Sequence, residues 1–184
     1  LNVEQIIPTQ DAEEYMIGMA DKAQDETASH TELKNRHIVR KQFWSQLLSK
    51  MNASASSLFS NISPVSSHYI GAGSGISRVR FVFVVSKSYG RAELYIDRAP
   101  EENKFIFDRL FGLKSQIEKD FGGQLTWERL DGKRACRIKA YFDGNVFDDE
   151  QWPTMIETMT DSMVRLESAL KPHLGDFNEK LKAR

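Results

Sequence analysis

The sequence reads LTWERLDGKRACRIK from Leu125 to Lys139, where two runs of alternating polar and apolar residues meet at Asp131-Gly132. Asp-Gly between alternating runs is a strong signal of a β-hairpin with a two-residue turn. A turn at this dipeptide gives the hairpin one apolar and one polar face, and it places Arg129 directly opposite Arg134. Two arginines in this arrangement repel each other unless a carboxylate or a bound anion lies between them.

An earlier stretch of the chain predicts a second hairpin. Residues 78–86 and 91–98 alternate in the same way and flank the four-residue segment 87–90. The pairing that separates apolar from polar side chains places Arg80 opposite Asp97, and we expect these two residues to form an ion pair. A slip of one residue would mix the two faces, so the pattern favours this assignment of faces.

Three other stretches have apolar residues at helical spacing. They begin near Thr31, Pro100 and Trp152. At Pro100, a proline followed by two glutamates is typical of the first turn of a helix. The stretch from Pro100 is expected to form one helix that buries Leu113 and ends at Gly122, which supplies the left-handed position after the last turn. The chain is therefore expected to have an α+β fold. In this fold, N-terminal helices precede an antiparallel sheet of about five strands with helices packed on one face, around a ββαββα core.

Three glycines at alternate positions, Gly71, Gly73 and Gly75, resemble a phosphate-binding loop at first sight. A phosphate loop needs a helix after the glycines, because the helix N-terminus faces the anion. A strand is predicted to follow here instead. We therefore interpret the glycines as a turn or bulge that leads into the sheet.

Charge divides the chain of 184 residues into two parts. Residues 1–29 contain seven acidic side chains and one lysine, whereas residues 30–184 carry a net charge of +5. We interpret residues 1–29 as an acidic linker or helical connector from a preceding module, with a helix that starts at Asp11. Residues 30–184 are expected to form a single α+β domain. The chain begins with Leu1 rather than methionine, which fits a piece of a longer polypeptide.

The composition also bears on the cellular compartment. The sequence contains neither an apolar run of membrane-spanning length nor a signal peptide. Its one cysteine, Cys136, excludes an internal disulfide framework and a cysteine-based zinc site, and fits a reducing environment. We therefore expect a cytoplasmic protein that does not engage a membrane.

Several short motifs in the second half of the chain belong together. They are RAELYID (Arg91–Asp97), NK (Asn103–Lys104), FG (Phe121–Gly122) and LTWERLDGKRACRI (Leu125–Ile138). With these motifs the chain resembles the prokaryotic domain-of-unknown-function family 4268, over roughly residues 37–174. In that family the domain commonly lies C-terminal to a nuclease module of the PD-(D/E)XK type. The resemblance implies a role in DNA processing or defence and assigns no catalytic residue to this domain.

The basic residues of the two hairpins and of the helix between them are the candidates for function. Arginine and lysine in a continuous path suit the phosphates of DNA or RNA. The predicted nucleic-acid or anion contacts are Arg129, Lys133, Arg134, Arg137, Arg91, Lys104 and Lys114. An equally weighted reading pairs these cations with glutamates such as Glu101, Glu102, Glu118 and Glu128.

The sequence therefore predicts an accessory domain of a nuclease-related or defence-related protein, which binds nucleic acid beside a nuclease-like module of the same polypeptide. The alternative is a protein-interaction or dimerisation module, which would form a homodimer. Exposed aromatic residues and methionines on one side of the terminal helices would favour it.

The sequence gives little support for catalysis by the domain itself. Asp131-Gly132-Lys133 matches the letters of a nuclease motif, but it lies at a hairpin tip, away from any second acid. The four histidines are scattered along the chain and lack the spacing of a metal site. We predict no cofactor, no metal and no catalytic residue here. Any nuclease activity would belong to an N-terminal module.

Overall fold

The computed structural model describes residues 19–20, 22–23, 29–175 and 177 of the chain. Within these residues the elements are, in chain order, α1 (His30–Asn52), β1 (Tyr69–Gly73), β2 (Val79–Val85), β3 (Tyr89–Ile96), α2 (Pro100–Phe111), α3 (Lys114–Phe121), β4 (Thr126–Glu128), β5 (Cys136–Asp143), a 3₁₀ turn (Asp149–Gln151) and α4 (Trp152–Leu174). The predicted α+β fold is confirmed. The start of the helix predicted from Asp11 lies outside the described residues, whereas residues 19–20 and 22–23 are helical.

The five described strands form one sheet in the order β1-β2-β3-β5-β4, and every neighbouring pair is antiparallel. From β2 onward the chain follows the expected ββαββα order, with the helical segment between β3 and β4 divided into two helices. β1 is added at one edge and the short β4 forms the other. The predicted number of strands is confirmed.

The two faces of the sheet differ in chemistry. The inner face carries apolar side chains such as Phe81, Phe83, Leu94 and Ile138, which form one buried cluster with apolar residues of all four described helices. The opposite side of the sheet is called the outer face below. Its side chains are those of Tyr69, Arg80, Val82, Val84, Tyr89, Arg91, Glu93, Tyr95, Thr126, Glu128, Arg137, Lys139, Tyr141 and Asp143. The outer face is therefore mostly polar and aromatic.

The first and last described helices match their sequence pattern. α1 begins with a capping box formed by Ser29 and Glu32 and buries Phe43 and Trp44. α4 buries its predicted stripe of apolar residues, which consists of Trp152, Ile156, Met159, Met163, Leu166 and Leu170. No helix in the described part of the chain is long and apolar enough to cross a membrane.

The helix predicted from Pro100 is instead two helices, α2 and α3, which are interrupted at Gly112-Leu113. Leu113 adopts φ −107° and ψ 12°, which is not helical, and its side chain is 43% exposed rather than buried. Glycine is the weakest helix former apart from proline, so the break falls where the helix is least stable. Gly122 has φ 78° as expected and ends α3.

The glycine-rich segment is not the turn that we predicted. Gly71 and Gly73 lie within β1, and the turn comes later, at Gly75 with φ 91°. A Cβ atom on Gly71 would come within 3.2 Å of the Val82 side chain, so glycine here allows close contact between β1 and β2. No helix follows these glycines, which excludes the phosphate-loop arrangement.

Both hairpins have the predicted faces but a different register. In β2–β3, Arg80 lies opposite Tyr95 rather than Asp97. The connection is tighter than expected, because the Ser86 amide donates to the Tyr89 carbonyl at 2.8 Å and leaves only two residues between them. The shift is two residues, so each side chain stays on its predicted face. The predicted ion pair of Arg80 with Asp97 is wrong.

The β4–β5 hairpin is shifted by two residues in the opposite sense. Glu128 lies opposite Arg137, and residues 129–135 form a long connection instead of a two-residue turn. A turn does occur at Asp131-Gly132, since the Lys133 amide donates to the Leu130 carbonyl at 2.8 Å. The positive φ is that of Leu130, at 53°, and not that of Asp131 or Gly132. Arg129 and Arg134 are therefore not a directly opposed pair in the sheet.

Candidate nucleic-acid interface

At the tip of the β4–β5 hairpin, the positive charge of Arg129 is neutralised by carboxylates of the same domain. Arg129 forms a two-pronged ion pair with Asp108 of α2, with Nε–Oδ1 at 2.7 Å and Nη2–Oδ2 at 3.0 Å, and it also contacts Asp131. The hydrogen bonds from Arg129 hold the pKa of Asp108 below its ordinary value. Asp108 of α2 therefore supplies the carboxylate that compensates the charge of Arg129.

Arg134 has its own carboxylate. Its Nε lies 2.8 Å from Oδ1 of Asp97, and its guanidinium also donates to the backbone carbonyls of Asp97 and Arg98. The side chain is nevertheless half exposed. Arg134 therefore lies at the end of β3, where it can reach an external anion as well as Asp97.

Lys104 serves the fold of the hairpin. Its ammonium donates to the carbonyls of Arg129, Leu130 and Lys133 at 2.5, 3.0 and 3.2 Å. It also lies 3.4 Å from the sulfur of Cys136. Three carbonyls that point at one ammonium explain why residues 129–135 form a wide loop rather than a two-residue turn. Sequence reasoning missed this role, because it depends on contacts 25 to 32 residues apart.

Burial raises the pKa of the Cys136 thiol, and the neighbouring Lys104 opposes this effect. The thiol is buried and donates to the Arg129 carbonyl at 3.1 Å. Cys136 therefore remains protonated at neutral pH and has a packing role, as its place on the strand indicates.

Of the two remaining candidates, Lys114 begins α3, and Lys133 lies on the 129–135 loop, where its carbonyl accepts a hydrogen bond from Lys104. Lys114 lies 3.9 Å from Glu118 and 5.7 Å from the centre of the Phe111 ring. Lys133 is exposed on the 129–135 loop. These lysines do not line the cleft described next.

Two of the predicted residues, Arg91 and Arg137, lie on the outer face of the sheet. They line a cleft of about 300 Å³, which is called the outer-face cleft below. Its walls are His68, Tyr69, Arg80, Val82, Val84, Arg91, Glu93, Tyr95, Asp97 and Arg137. The cleft combines arginines with aromatic rings on a face that carries none of the sheet's main apolar core.

The floor of the cleft contains buried charges that are paired. Arg91 and Glu93 lie 2.9 Å apart on neighbouring outward positions of β3 and are both almost completely buried. Beside them the fully buried Lys139 pairs with Glu128, and Arg137 lies 3.7 Å from the same carboxylate. Buried charges are tolerated when they are paired, so this network fixes the positions of Arg91 and Arg137.

The charged side chains at the rim of the cleft are exposed to solvent. Arg80 is exposed and makes no hydrogen bond or ion pair with the described residues, apart from its backbone bonds in β2. Arg78 and Arg134 reach the cleft at Asp97, at 4.0 Å and 2.8 Å. Five arginines then surround two carboxylates, with a formal surplus of three positive charges. This surplus makes the cleft a candidate anion site.

Sequence reasoning missed Arg80 and the tyrosines of the cleft. The wrong β2–β3 register assigned Arg80 to Asp97 and so removed it from consideration. Tyr69 and Tyr95 come from different strands, and no local spacing links them. The alternation of polar and apolar residues along β2 and β3 was sufficient to predict that Arg80 and Tyr95 face outward.

Among the described residues, no group of three or more His, Cys, Asp or Glu side chains is placed to hold a metal ion. The carboxylates of Glu93, Asp97 and Glu128 are instead in contact with arginine or lysine. What the cleft presents to a ligand is positive charge and aromatic surface.

The family model for a domain of unknown function (DUF4268) matches residues 39–174, a range that contains the five described strands and the outer-face cleft. No curated protein and no solved structure matches the chain significantly.

Proposed function

The chain belongs to the DUF4268 family, and we propose that its domain binds nucleic acid through the outer-face cleft. The observation that carries the proposal is the exposed guanidinium of Arg80 at the rim of a cleft whose arginines outnumber its carboxylates. Guanidinium groups suit phosphate because they offer several donors in a rigid planar fork.

The buried network supports the proposal by holding the site in place. Arg137 is held between Glu128, at 3.7 Å, and the Tyr95 ring, 5.6 Å from its centroid. A guanidinium fixed in this way loses little conformational freedom when it meets a phosphate. Arg137 therefore differs from exposed lysines such as Lys41 and Lys119 on the helices.

The resemblance in sequence supports an accessory, non-catalytic role. A domain that follows a nuclease-like module in one polypeptide would hold DNA or RNA near the catalytic centre while supplying no chemistry. We propose that the protein acts in the cytoplasm, where cellular and invading nucleic acids are accessible to it.

The alternative function, a protein-interaction or dimerisation module, is supported by one patch. Phe111 and Leu113 are 49% and 43% exposed, and the Phe111 ring stacks on Phe107 and meets Trp127 edge-on. Aromatic side chains of this kind are enriched at the centres of interfaces. Light scattering distinguishes the two functions: a dimer that Phe111→Ser with Leu113→Ser converts to monomer would favour the alternative.

The nucleic-acid proposal is tested by fluorescence anisotropy with labelled oligonucleotides at low salt. Arg80→Gln with Arg137→Gln is expected to weaken binding by at least about tenfold, because it removes two charge-assisted contacts. The matched control is Lys41→Gln with Lys119→Gln, which removes the same charge from exposed positions on α1 and α3. Equal effects of the two variants, or no binding by the wild-type chain, would refute the proposal.

A further inference from the structure

We infer that the outer-face cleft binds single-stranded rather than duplex nucleic acid, with unpaired bases stacked on its tyrosines. This inference rests on the proposed function and adds the form of the substrate. It concerns two rings that line the cleft together with the arginines, Tyr69 and Tyr95.

Tyr69 has an unusual position for a large aromatic side chain. It lies on the edge strand β1 and is 46% exposed. The ring of His68 lies next to it, with centroids 5.3 Å apart and an edge-to-face geometry. An exposed ring that faces an arginine-lined cleft offers a flat surface on which a base can stack.

Tyr95 marks the other end of the cleft. It lies two strands away, on β3, opposite both Arg80 and Arg137 in the sheet. Ordinary strand spacing and rise place the two tyrosines roughly 16 Å apart across the face. A ligand that uses both rings must therefore be a chain of several nucleotides rather than a mononucleotide.

The arrangement of rings and arginines matches a single strand. In a duplex the bases are paired and stacked on one another, so that no base face is open to a tyrosine at the protein surface. In a single strand the bases can turn toward the rings while the phosphates meet Arg80 and Arg137. The volume of about 300 Å³ fits individual bases and is small for a helix that has two strands.

The positions of the positively charged side chains at the rim also favour a single strand. Arg80 and Arg134 lie near the Tyr95 end, where Asp97 holds Arg134 at 2.8 Å. A backbone that passes along these arginines leaves its bases over the neighbouring tyrosine and over Val82 and Val84, which line the cleft beside the paired Arg91 and Glu93. The two valines are unsuited to phosphate and suited to a base.

The experiment compares an unstructured single strand with its own duplex, as DNA and as RNA, at one salt concentration. We expect the wild-type 184-residue chain to bind the single strand at least about tenfold more tightly. Tyr69→Ala should weaken single-strand binding about fivefold or more and leave duplex binding unaltered, whereas Tyr69→Phe restores the ring and most of the affinity. Phe111→Ala, which removes an equally exposed ring outside the cleft, should have no effect.

The outcomes separate the two proposals. Equal affinity for single strand and duplex, with both still dependent on Arg80 and Arg137, would overturn the inference and retain the proposed function. Loss of affinity in Tyr69→Ala that Tyr69→Phe does not restore would also overturn it, because the ring would then not be the binding element. Absence of binding to either form would overturn the proposed function itself.

Discussion

At the scale of single residues, Lys104 shows how a cation that looks available in sequence is used by the fold. Its ammonium is surrounded by the carbonyls of Arg129, Leu130 and Lys133, which come from the hairpin loop. The backbone groups of a loop must find partners when they are partly buried. Lys104 satisfies three of them and is best regarded as part of the hairpin.

Replacement of Lys104 by methionine keeps the aliphatic stem and removes the ammonium. The carbonyls then lose a charged donor, and we expect the free energy of unfolding to fall by about 1–3 kcal/mol. Urea denaturation of Lys104→Met measures this change, with the exposed Lys119→Met as the control. Two denaturation curves that coincide with the wild-type curve would show that Lys104 does not hold the loop.

The ion pair between Arg129 and Asp108 makes stability depend on pH. The pKa of Asp108 is lowered from its ordinary value of 3.8 in the folded chain, chiefly by the hydrogen bonds from Arg129. A lowered pKa in the folded state means that the stabilisation is complete above the unfolded value and is lost as the pH falls through the folded one.

The stability difference between wild type and Asp108→Asn should therefore be constant above about pH 5 and decrease below about pH 3.5. Chemical denaturation at several pH values measures it. A difference that remains unaltered at pH 2 would contradict the assignment, because below the ordinary pKa of Asp108 the unfolded chain takes up a proton more readily than the folded chain does.

At the scale of elements, the two hairpins show what alternation determines and what it does not. The period of two assigns each side chain to a face, and the predicted faces of both hairpins are correct. A register shift of two residues preserves these faces, so the pattern cannot distinguish Arg80 opposite Asp97 from Arg80 opposite Tyr95. The actual registers depend on Ser86, which tightens one turn, and on Lys104, which widens the other.

The glycines that follow α2 and α3 provide a matched test of the helix ends. Gly122 has a left-handed φ of 78°, whereas Gly112 has φ −60°, which any residue adopts. A Cβ atom on Gly112 would meet only ordinary contacts, 3.5 Å from the Arg109 carbonyl oxygen.

We therefore expect Gly122→Ala to destabilise the domain by about 1 kcal/mol and Gly112→Ala to stabilise it by up to about 1 kcal/mol. Thermal or urea unfolding of the two variants measures the sign of each effect. Destabilisation of similar size in both would contradict the different backbone conformations.

At the scale of the whole molecule, the sheet separates the two tasks of the domain. Its inner face packs on the helices and was predictable, because apolar periodicity reports burial directly. The outer-face cleft was only partly predictable: Arg91 and Arg137 were identified by charge, but Tyr69 and Arg80 join them only through the order of the strands. Strand order is a long-range property that one sequence does not reveal.

The most direct test of a phosphate-binding cleft is the salt dependence of its affinity for a single-stranded oligonucleotide. Contacts from Arg80, Arg134 and Arg137 to about three phosphates predict that log K falls with log salt with a slope of about −2. Arg80→Gln with Arg137→Gln should reduce the slope to about −0.7, while Lys41→Gln with Lys119→Gln should leave it unaltered. A slope that is the same in all three chains would contradict the account, as would the absence of binding by the wild-type chain at low salt.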